Sequence, residues 1–191
     1  METEDSDVIR FIDISDQLSS GVVNIFSTNR AAAALKSDGS VVTWGEKIYG
    51  GDSSSVISQI SSDVISISTT GYAFAALKSD GSVVTWGENE RGGDSSLVSD
   101  DLSSGVQKIY GGGDVFAALK DDGSVISWGD YEPISHSGSV TTSWESVKDQ
   151  LSNGVVDVVH NGQSDAWAAL KSDGSVVTWG RNCLLYTSDA A

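Results

Sequence analysis

Two histidines and a few adjacent acidic residues are the side chains from which a metal site or a catalytic centre would have to be built. His136 and His160 stand 24 residues apart, and Cys183 is the single cysteine. A zinc site needs three or four ligands at short spacings, which these residues do not offer. A glycosidase needs two carboxyl groups that face each other across a cleft, unlike the neighbouring acids Asp100-Asp101 and Asp121-Asp122. We therefore predict no metal, no cofactor and no enzymatic activity.

Asp-Gly pairs recur along the chain and raise the question of calcium binding. They begin at Asp38, Asp80, Asp122 and Asp173. Calcium loops need several oxygen ligands within about a dozen residues, whereas an SDGS segment offers one carboxylate, so we predict turns. The glycine-rich segments Gly50–Ser54 and Gly92–Ser96 lack a phosphate-binding signature. We interpret them as turns that lead into helices capped by Asp52 and Asp94.

The composition excludes several classes of partner. The chain has 11 Lys and Arg against 27 Asp and Glu, a formal net charge of −16. Nucleic-acid-binding proteins carry a basic footprint instead. No apolar run approaches the ~18 residues of a membrane span, and the acidic N-terminus has no apolar signal core. We predict no nucleic acid and no membrane insertion, with an extracellular or cell-surface location and a cytoplasmic one as the alternative.

One phrase recurs and organises the chain. ALKSDGSVVTWG occupies 34–45 and returns unchanged at 76–87 and 169–180, while 118–129 reads ALKDDGSVISWG. The repeated anchors are Leu35, Leu77, Leu119 and Leu170, Trp44, Trp86, Trp128 and Trp179, and the turn glycines Gly39, Gly81, Gly123 and Gly174. The leucines are spaced by 42, 42 and 51 residues. A period near 42 is typical of propeller blades or of two-helix repeats, and the hairpin pattern favours blades.

The phrase predicts a β-hairpin that is packed on both faces. A two-residue turn at Asp38-Gly39 would place Leu35 opposite Val42 and Ala33 opposite Trp44. These four apolar residues would share one face, with the tryptophan facing leucine in the core. The other face would carry Ala34, Lys36, Val41 and Thr43. Because this second face is half apolar, we expect it to be buried as well.

A further strand and a short helix are predicted before each hairpin. The β-branched runs are at 22–27, 64–69, 106–111 and 155–160. Upstream lie apolar i,i+4 pairs followed by Gly21, Asp63, Gly105 and Gly154. This spacing favours a short helix, with an irregular segment or an outer strand as alternatives. The longest apolar stripe runs through Thr142, Trp144, Val147 and Leu151.

An insertion separates the third hairpin from the fourth repeat. Insertions in repeat arrays form exposed loops, often on a binding face. Tyr131, His136 and Trp144 lie in or beside it and are our candidates for contact with a partner. For Trp144, packing of the helix onto the blade is the competing interpretation. His160 is interpreted as a loop or partly buried residue at a strand end.

The hairpin phrase and its preceding strand resemble the repeat of the regulator of chromosome condensation family, over about 21–180. The short period is similar to that of the bacterial branch of this family, which includes the β-lactamase inhibitor protein of this fold. The repeat also resembles serine- and glycine-rich arrays in surface proteins of marine bacteria. The resemblance implies a seven-bladed β-propeller that acts through loops on one face. Ala32, Phe74, Phe116 and Trp167 stand where the eukaryotic family usually has a histidine near the phrase. No functional residue is carried over.

The resemblance and the repeat count together predict an incomplete propeller. Seven blades of ~42 residues need about 290 residues, and this chain has four repeats. We expect a mainly β repeat protein of about four blades, a single array over 1–182 with units near 10–45, 52–87, 94–129 and 142–180. Residues 183–191 (CLLYTSDAA) resemble a translated sequencing adapter, and we expect a non-native tail. Terminal blades are expected to be exposed and to associate.

These features predict a non-catalytic module rather than an enzyme. We expect a binding or structural propeller unit, a fragment of a larger bacterial repeat protein at the cell surface. Its partners would be a protein or cell-surface ligand and the other blades of the full-length chain. The alternative is a regulatory protein that binds a GTPase or an enzyme through a propeller face.

Overall fold

The computed structural model describes residues 14–129, 141–142, 144–161 and 166–181. The described strands are β1 (Val22–Ser27), β2 (Ala31–Lys36), β3 (Val41–Gly45), β4 (Val64–Thr69), β5 (Ala73–Lys78), β6 (Val83–Gly87), β7 (Val106–Gly111), β8 (Val115–Lys120), β9 (Val125–Gly129), β10 (Thr141–Thr142), β11 (Val155–His160), β12 (Ala166–Lys171) and β13 (Val176–Arg181). The described α-helices are single turns, α1 (Ser15–Leu18) and α2 (Trp144–Val147). Residues 183–191, the predicted tail, lie outside the described residues.

The strands form four separate antiparallel sheets, one for each repeat. The first three have the orders β1-β2-β3, β4-β5-β6 and β7-β8-β9, and the fourth has the order β10-β13-β12-β11. The prediction of a mainly β repeat protein with blade-like sheets is confirmed. The strand that precedes each hairpin also has the predicted bounds. β10, from the end of the insertion, adds a short outer strand to the fourth blade.

The hairpin register differs by one residue from the prediction. Leu35 pairs with Val41 and Ala33 with Thr43, and not with Val42 and Trp44 as a two-residue turn predicts. The loop holds three residues, because the Lys36 N–H donates to the Ser40 carbonyl at 2.9 Å. Gly39 has a φ of +79°, the left-handed conformation that closes a three-residue loop with a bulge. The two-residue turn was therefore wrong, and so was the division of side chains between the two faces.

In the observed register, the tryptophan of each phrase does not lie opposite leucine. It pairs with the second residue of the blade's middle strand. The pairs are Ala32–Trp44, Phe74–Trp86, Phe116–Trp128 and Trp167–Trp179. Phe74 and Trp86 are stacked with ring centroids 5.1 Å apart, and the next two pairs stack at 5.2 and 5.8 Å. Phe74, Phe116 and Trp167 at this position thus build the cores, whereas Ala32 of the first blade is only partly buried.

Each described core lies between two neighbouring blades. Each blade has two surfaces, which we call its front face and its back face. In the first blade, Ala33, Leu35 and Val41 form the front face. It packs against the back face of the second blade, where Phe74 and Trp86 lie. The front face of the second blade packs on the back face of the third in the same way, and that of the third on the fourth. Both faces of an inner blade are therefore buried, as the apolar pattern predicted.

Backbone hydrogen bonds fix the blades to each other at the Asp-Gly turns. The Val64 N–H donates to the Gly39 carbonyl, and the Val41 N–H donates to the Ile60 carbonyl, both at 3.0 Å. The equivalent bonds are Val106 to Gly81, Val83 to Leu102, Val155 to Gly123 and Val125 to Leu151, at 2.9 to 3.0 Å. The turn of one blade is thus part of its interface with the next blade.

The turn aspartates have a structural role in the hairpin loops. Asp38 Oδ1 accepts hydrogen bonds from the Ser40 N–H at 3.0 Å and from the Ser40 hydroxyl at 2.7 Å. Asp80 and Asp173 repeat both contacts, and Asp122 accepts from the Ser124 N–H. The hydrogen bonds from these serines lower the pKa of all four carboxyl groups.

These lowered pKa values predict a loss of stability in acid. A carboxyl group whose pKa is lower in the folded state stabilises the fold above its unfolded pKa of about 4, and this contribution disappears as the pH falls through the folded value. Replacing all four turn aspartates by asparagine keeps the Oδ1 acceptor but removes the titration. We expect the melting temperature of this variant to fall less than that of the wild type between about pH 5 and pH 2. Parallel melting curves over that range would contradict the assignment.

The segments between blades are less helical than predicted. α1 and α2 are single turns, and the described part of the second and third segments has 3-10 or hydrogen-bonded turns, including Ser96–Val98. Asp94 Oδ1 accepts from the Ser96 N–H at 2.8 Å, so the predicted caps close turns rather than helices. Thr142 lies in β10 and not in a helical stripe. Serine-rich sequence with little intrinsic helix preference, anchored at Ile60, Leu102 and Leu151, explains why each segment stops after a turn.

Asp63 occupies a backbone conformation that its sister repeats assign to glycine. Its φ is +66°, against +76°, +75° and +74° at Gly21, Gly105 and Gly154. A side chain in this region is strained, whereas glycine is not. We expect Asp63→Gly to raise the free energy of unfolding by about 1 kcal/mol, measured by urea denaturation. Gly154→Ala should lower it by a similar amount, and a loss of stability in the Asp63 variant would contradict this explanation.

Candidate protein-binding surface

The loops between the first and second strands of neighbouring blades lie together along one edge of the blades. The Asn29 N–H donates to the Gly71 carbonyl at 2.9 Å, and the Gly71 N–H donates to the Gly113 carbonyl at 2.8 Å. The segments that follow the third strands join this end, because Thr28 Oγ1 donates to the Tyr49 carbonyl and Thr70 Oγ1 to the Arg91 carbonyl. We call this surface the loop end.

Four side chains form a continuous stack at the loop end. The rings of Tyr49 and Tyr72 are stacked, with centroids 5.3 Å apart and an angle of 27° between the ring planes. The Arg30 guanidinium lies 5.2 Å from the Tyr49 ring centroid, and that of Arg91 lies 4.1 Å from the Tyr72 centroid. We call these four residues the Tyr-Arg stack. It crosses from the first blade to the second and presents aromatic and cationic surface on a strongly acidic chain.

Acidic neighbours hold both arginines in place. Arg30 Nη1 donates to Glu46 Oε2 at 3.1 Å, and Arg91 Nη1 donates to Asp114 Oδ1 at 2.9 Å. The hydrogen bond with Glu46 raises the pKa of Arg30 above its ordinary value. Asp114 belongs to the third blade and its side chain is 18% exposed, so the second ion pair ties two blades together. Each guanidinium of the stack therefore has a carboxylate partner within the chain.

The stack consists of residues that differ between the copies. Arg30, Tyr72 and Asp114 occupy one repeat position, and Tyr49 and Arg91 occupy another. An arginine and a tyrosine thus exchange places between the first and second repeats. None of these residues was predicted, because the expected partner contacts lie in or beside the insertion. A column-by-column comparison of the repeats carries the signal, since packing residues recur and these do not.

The predicted partner contacts are placed differently. Tyr131 and His136 lie outside the described residues. Trp144 begins α2 and packs against the core between the third and fourth blades, with its ring 5.8 Å from that of Trp179 in an edge-on contact. The interpretation of Trp144 as a packing residue is therefore supported. His160 ends β11 half-buried, with its ring centroid 4.8 Å from that of Trp167.

The structure also places the residues considered for catalysis and metal binding. Asp100, Asp101, Asp121 and Asp122 are exposed. Across 14–129 and the later described segments, histidine, cysteine and acidic residues form no group of three or more suited to a metal ion. In the same residues, no helix is long and apolar enough to cross a membrane.

A family model agrees with the repeat geometry. Residues 64–92, which include the second blade's three strands, match the regulator of chromosome condensation (RCC1) repeat. The second repeat is therefore similar to the repeat of the regulator of chromosome condensation family. No curated protein sequence matches the chain significantly.

Solved structures show that repeats of this type here build propeller blades. The chain is similar to Prp20p from Saccharomyces cerevisiae, with a TM-score of 0.52 and 18% identity over 83% of this chain and 43% of that one. It is similar to the CRINKLY WD40 ectodomain of the Arabidopsis thaliana receptor kinase ACR4, with a TM-score of 0.51 and 21% identity over 83% of this chain and 49% of that one. Human WBSCR16 is similar as well, with a TM-score of 0.51 and 19% identity over 83% of this chain and 47% of that one. The chain therefore spans about half the length of these structures.

Proposed function

We propose that this chain is a non-catalytic protein-binding module that holds its partner on the Tyr-Arg stack at the loop end. The propeller of regulator of chromosome condensation repeats already suggests a protein-binding role. The observation that carries the proposal is the stack of Arg30, Tyr49, Tyr72 and Arg91 across two blades. Tyrosine and arginine are the residue types enriched at the energetic centres of protein interfaces.

The geometry of the stack favours binding over catalysis. Both arginines have carboxylate partners, and both tyrosine rings are fixed by their neighbours, so a partner would meet a surface that loses little conformational entropy on binding. The stack contains no nucleophile paired with a base. Among the similar structures, Prp20p has been studied for its binding to Gsp1p and histones, and yeast RCC1 has been crystallised with Kap60. Those proteins support a protein partner as the class of ligand for this chain.

The experiment compares a variant at the loop end with a variant at the opposite edge of the same blade, where the Asp-Gly turns lie. Tyr72→Ala removes the central ring of the stack, and Asp80→Asn changes the opposite, Asp-Gly turn end without loss of its hydrogen-bond acceptor. Proteins retained from a lysate of the source cells by the wild type would be identified and purified, and their affinities measured by calorimetry. We expect Tyr72→Ala to raise Kd by about 30-fold, which corresponds to about 2 kcal/mol, and Asp80→Asn to leave it unchanged.

Two results would contradict the proposal. One is a partner that binds Tyr72→Ala as tightly as the wild type while the variant keeps its fold. The other is turnover of a substrate that is lost on changing one acidic pair, since the module is proposed to be non-catalytic. The larger bacterial surface protein and the non-native tail stay predictions, which the genomic reading frame around the coding sequence tests.

A further inference from the structure

The fourth blade leaves its front face uncovered in the described part of the chain. Val159, Leu170 and Val176 are 59%, 45% and 55% exposed. The residues at the same positions of the third blade are Tyr110, Leu119 and Val125, which are 9%, 7% and 2% exposed. The same surface that builds a core between inner blades is therefore open at this end of the array.

Among residues 14–129 and the later described segments, the opposite face of the first blade is uncovered. Ile25 is 61% exposed, whereas its equivalents Ile67, Ile109 and Val158 are 5%, 6% and 2% exposed. Trp44 is half-buried, while the other three phrase tryptophans are 2% or 3% exposed. The open back face of the first blade thus carries the residue types that fill the inner interfaces.

We propose that these two faces bind each other between copies of the chain, with the front face of one copy's fourth blade on the back face of another copy's first blade. The chain already forms this contact three times within itself. Each time, alanine and leucine of a front face pack against an aromatic back face, and in two of the three contacts a buried valine joins the front face. The intermolecular contact continues the same interface in the same order. It is independent of the Tyr-Arg stack, which lies at the loop end.

The turn of the fourth blade has the geometry that this contact requires. At Gly39, Gly81 and Gly123, an added Cβ would come within 2.7 to 2.8 Å of a backbone nitrogen of the next blade. At Gly174, no atom of the described chain lies within 4 Å of that position. In the inner register, the Val22 N–H of a second copy would donate to the Gly174 carbonyl, and the Val176 N–H would donate to its Leu18 carbonyl. The space beside Gly174 is thus the place for the second copy's Gly21.

The net charge predicts how the association responds to salt. Two copies that each carry a formal charge of −16 repel one another at long range, while the contact itself is apolar. Screening by salt reduces this repulsion without weakening the burial of apolar surface. Association is therefore expected to strengthen as sodium chloride is raised from about 0.01 M to 0.5 M.

The test uses one charged substitution on each face and a matched control. Leu170→Glu changes the front face, and Ile25→Glu changes the back face; both residues are exposed, so the variants keep their inner cores. Ile65→Glu is the control, because Ile65 is 58% exposed on an inner blade and lies outside the cores. The full chain and each variant are compared by light scattering after size exclusion over a wide concentration range. We expect association of the wild type and of Ile65→Glu, and monomers for the two face variants.

Mixing the two face variants decides whether the contact is head to tail. Each variant retains the face that the other lacks, so an equimolar mixture should form one-to-one pairs although each alone is monomeric. Gly174→Ala, which adds a single methyl group beside Gly21 of the second copy, should also weaken association. A wild type that stays monomeric, variants that associate like the wild type, or a mixture that stays monomeric would each overturn the proposal.

Discussion

Trp128→Ala is expected to lower the free energy of unfolding by about 3–5 kcal/mol, a large part of the 5–15 kcal/mol that holds a typical domain together. Trp128 is 3% exposed and stacks on Phe116, with ring centroids 5.2 Å apart. Its indole N–H also donates to the Gly92 carbonyl at 3.2 Å, across the boundary with the second blade. The substitution removes the packed ring and leaves that buried carbonyl without its donor.

The first repeat provides the matched control for this prediction. Trp44 occupies the same position of the phrase but is half-buried, because no described residue covers the back face of its blade. Trp44→Ala should therefore cost much less, when unfolding is followed by urea denaturation in dilute solution where the chain is monomeric. Equal losses for the two variants would show that the interface between blades does not determine the contribution of the tryptophan.

Gly81→Ala is the second substitution for which we expect a large effect. Gly81 has a φ of +79°, and a Cβ there would lie 2.7 Å from the backbone nitrogen of Gly105 in the next blade. Strain in the left-handed conformation costs about 1 kcal/mol. The third blade must also shift, which weakens the Val106 to Gly81 and Val83 to Leu102 hydrogen bonds at about 1 kcal/mol each. We expect a total loss of about 3 kcal/mol.

The fourth repeat separates the two causes of that loss. Gly174 has the same conformation, with a φ of +86°, but an added Cβ meets no described atom within 4 Å. Gly174→Ala should therefore cost only the backbone strain, about 1 kcal/mol, in thermal or urea unfolding of the dilute monomer. If the two variants are equally destabilised, the turn acts only within its own hairpin and not as a contact between blades.

These predictions place the stability of the chain in the contacts between blades. Each described core contains residues from two sheets, so a blade without a neighbour has no complete core. Stability in repeat arrays is approximately a sum of unit and nearest-neighbour terms. The same reasoning connects the stability variants with the proposed self-association, since a second copy would cover the faces that the described residues leave open on the first and fourth blades.

The repeat, the strands and the order of elements could be predicted from the sequence because they are local properties. The period near 42 counts the blades, and β-branched runs mark β1, β4, β7 and β11 with the observed bounds. Gly21, Gly105 and Gly154 marked the end of the segment before each first strand, and the structure shows that these glycines and Asp63 have positive φ values. Such features depend on backbone preferences and on alternation within one strand, which a single sequence contains.

The tertiary structure alone decided which side chains meet. An Asp-Gly pair fits both a two-residue and a three-residue loop, and the choice of three moved Trp44 from opposite Ala33 to opposite Ala32. The Tyr-Arg stack joins contacting residues that are 19 or 23 positions apart in the sequence, on loops that hydrogen bonds between blades bring together. Neither feature has a local signal, because register and contacts between blades depend on packing of distant segments. The sequence thus determined the blade, and only the packing of blade on blade decided which of its faces are core and which remain available for a partner.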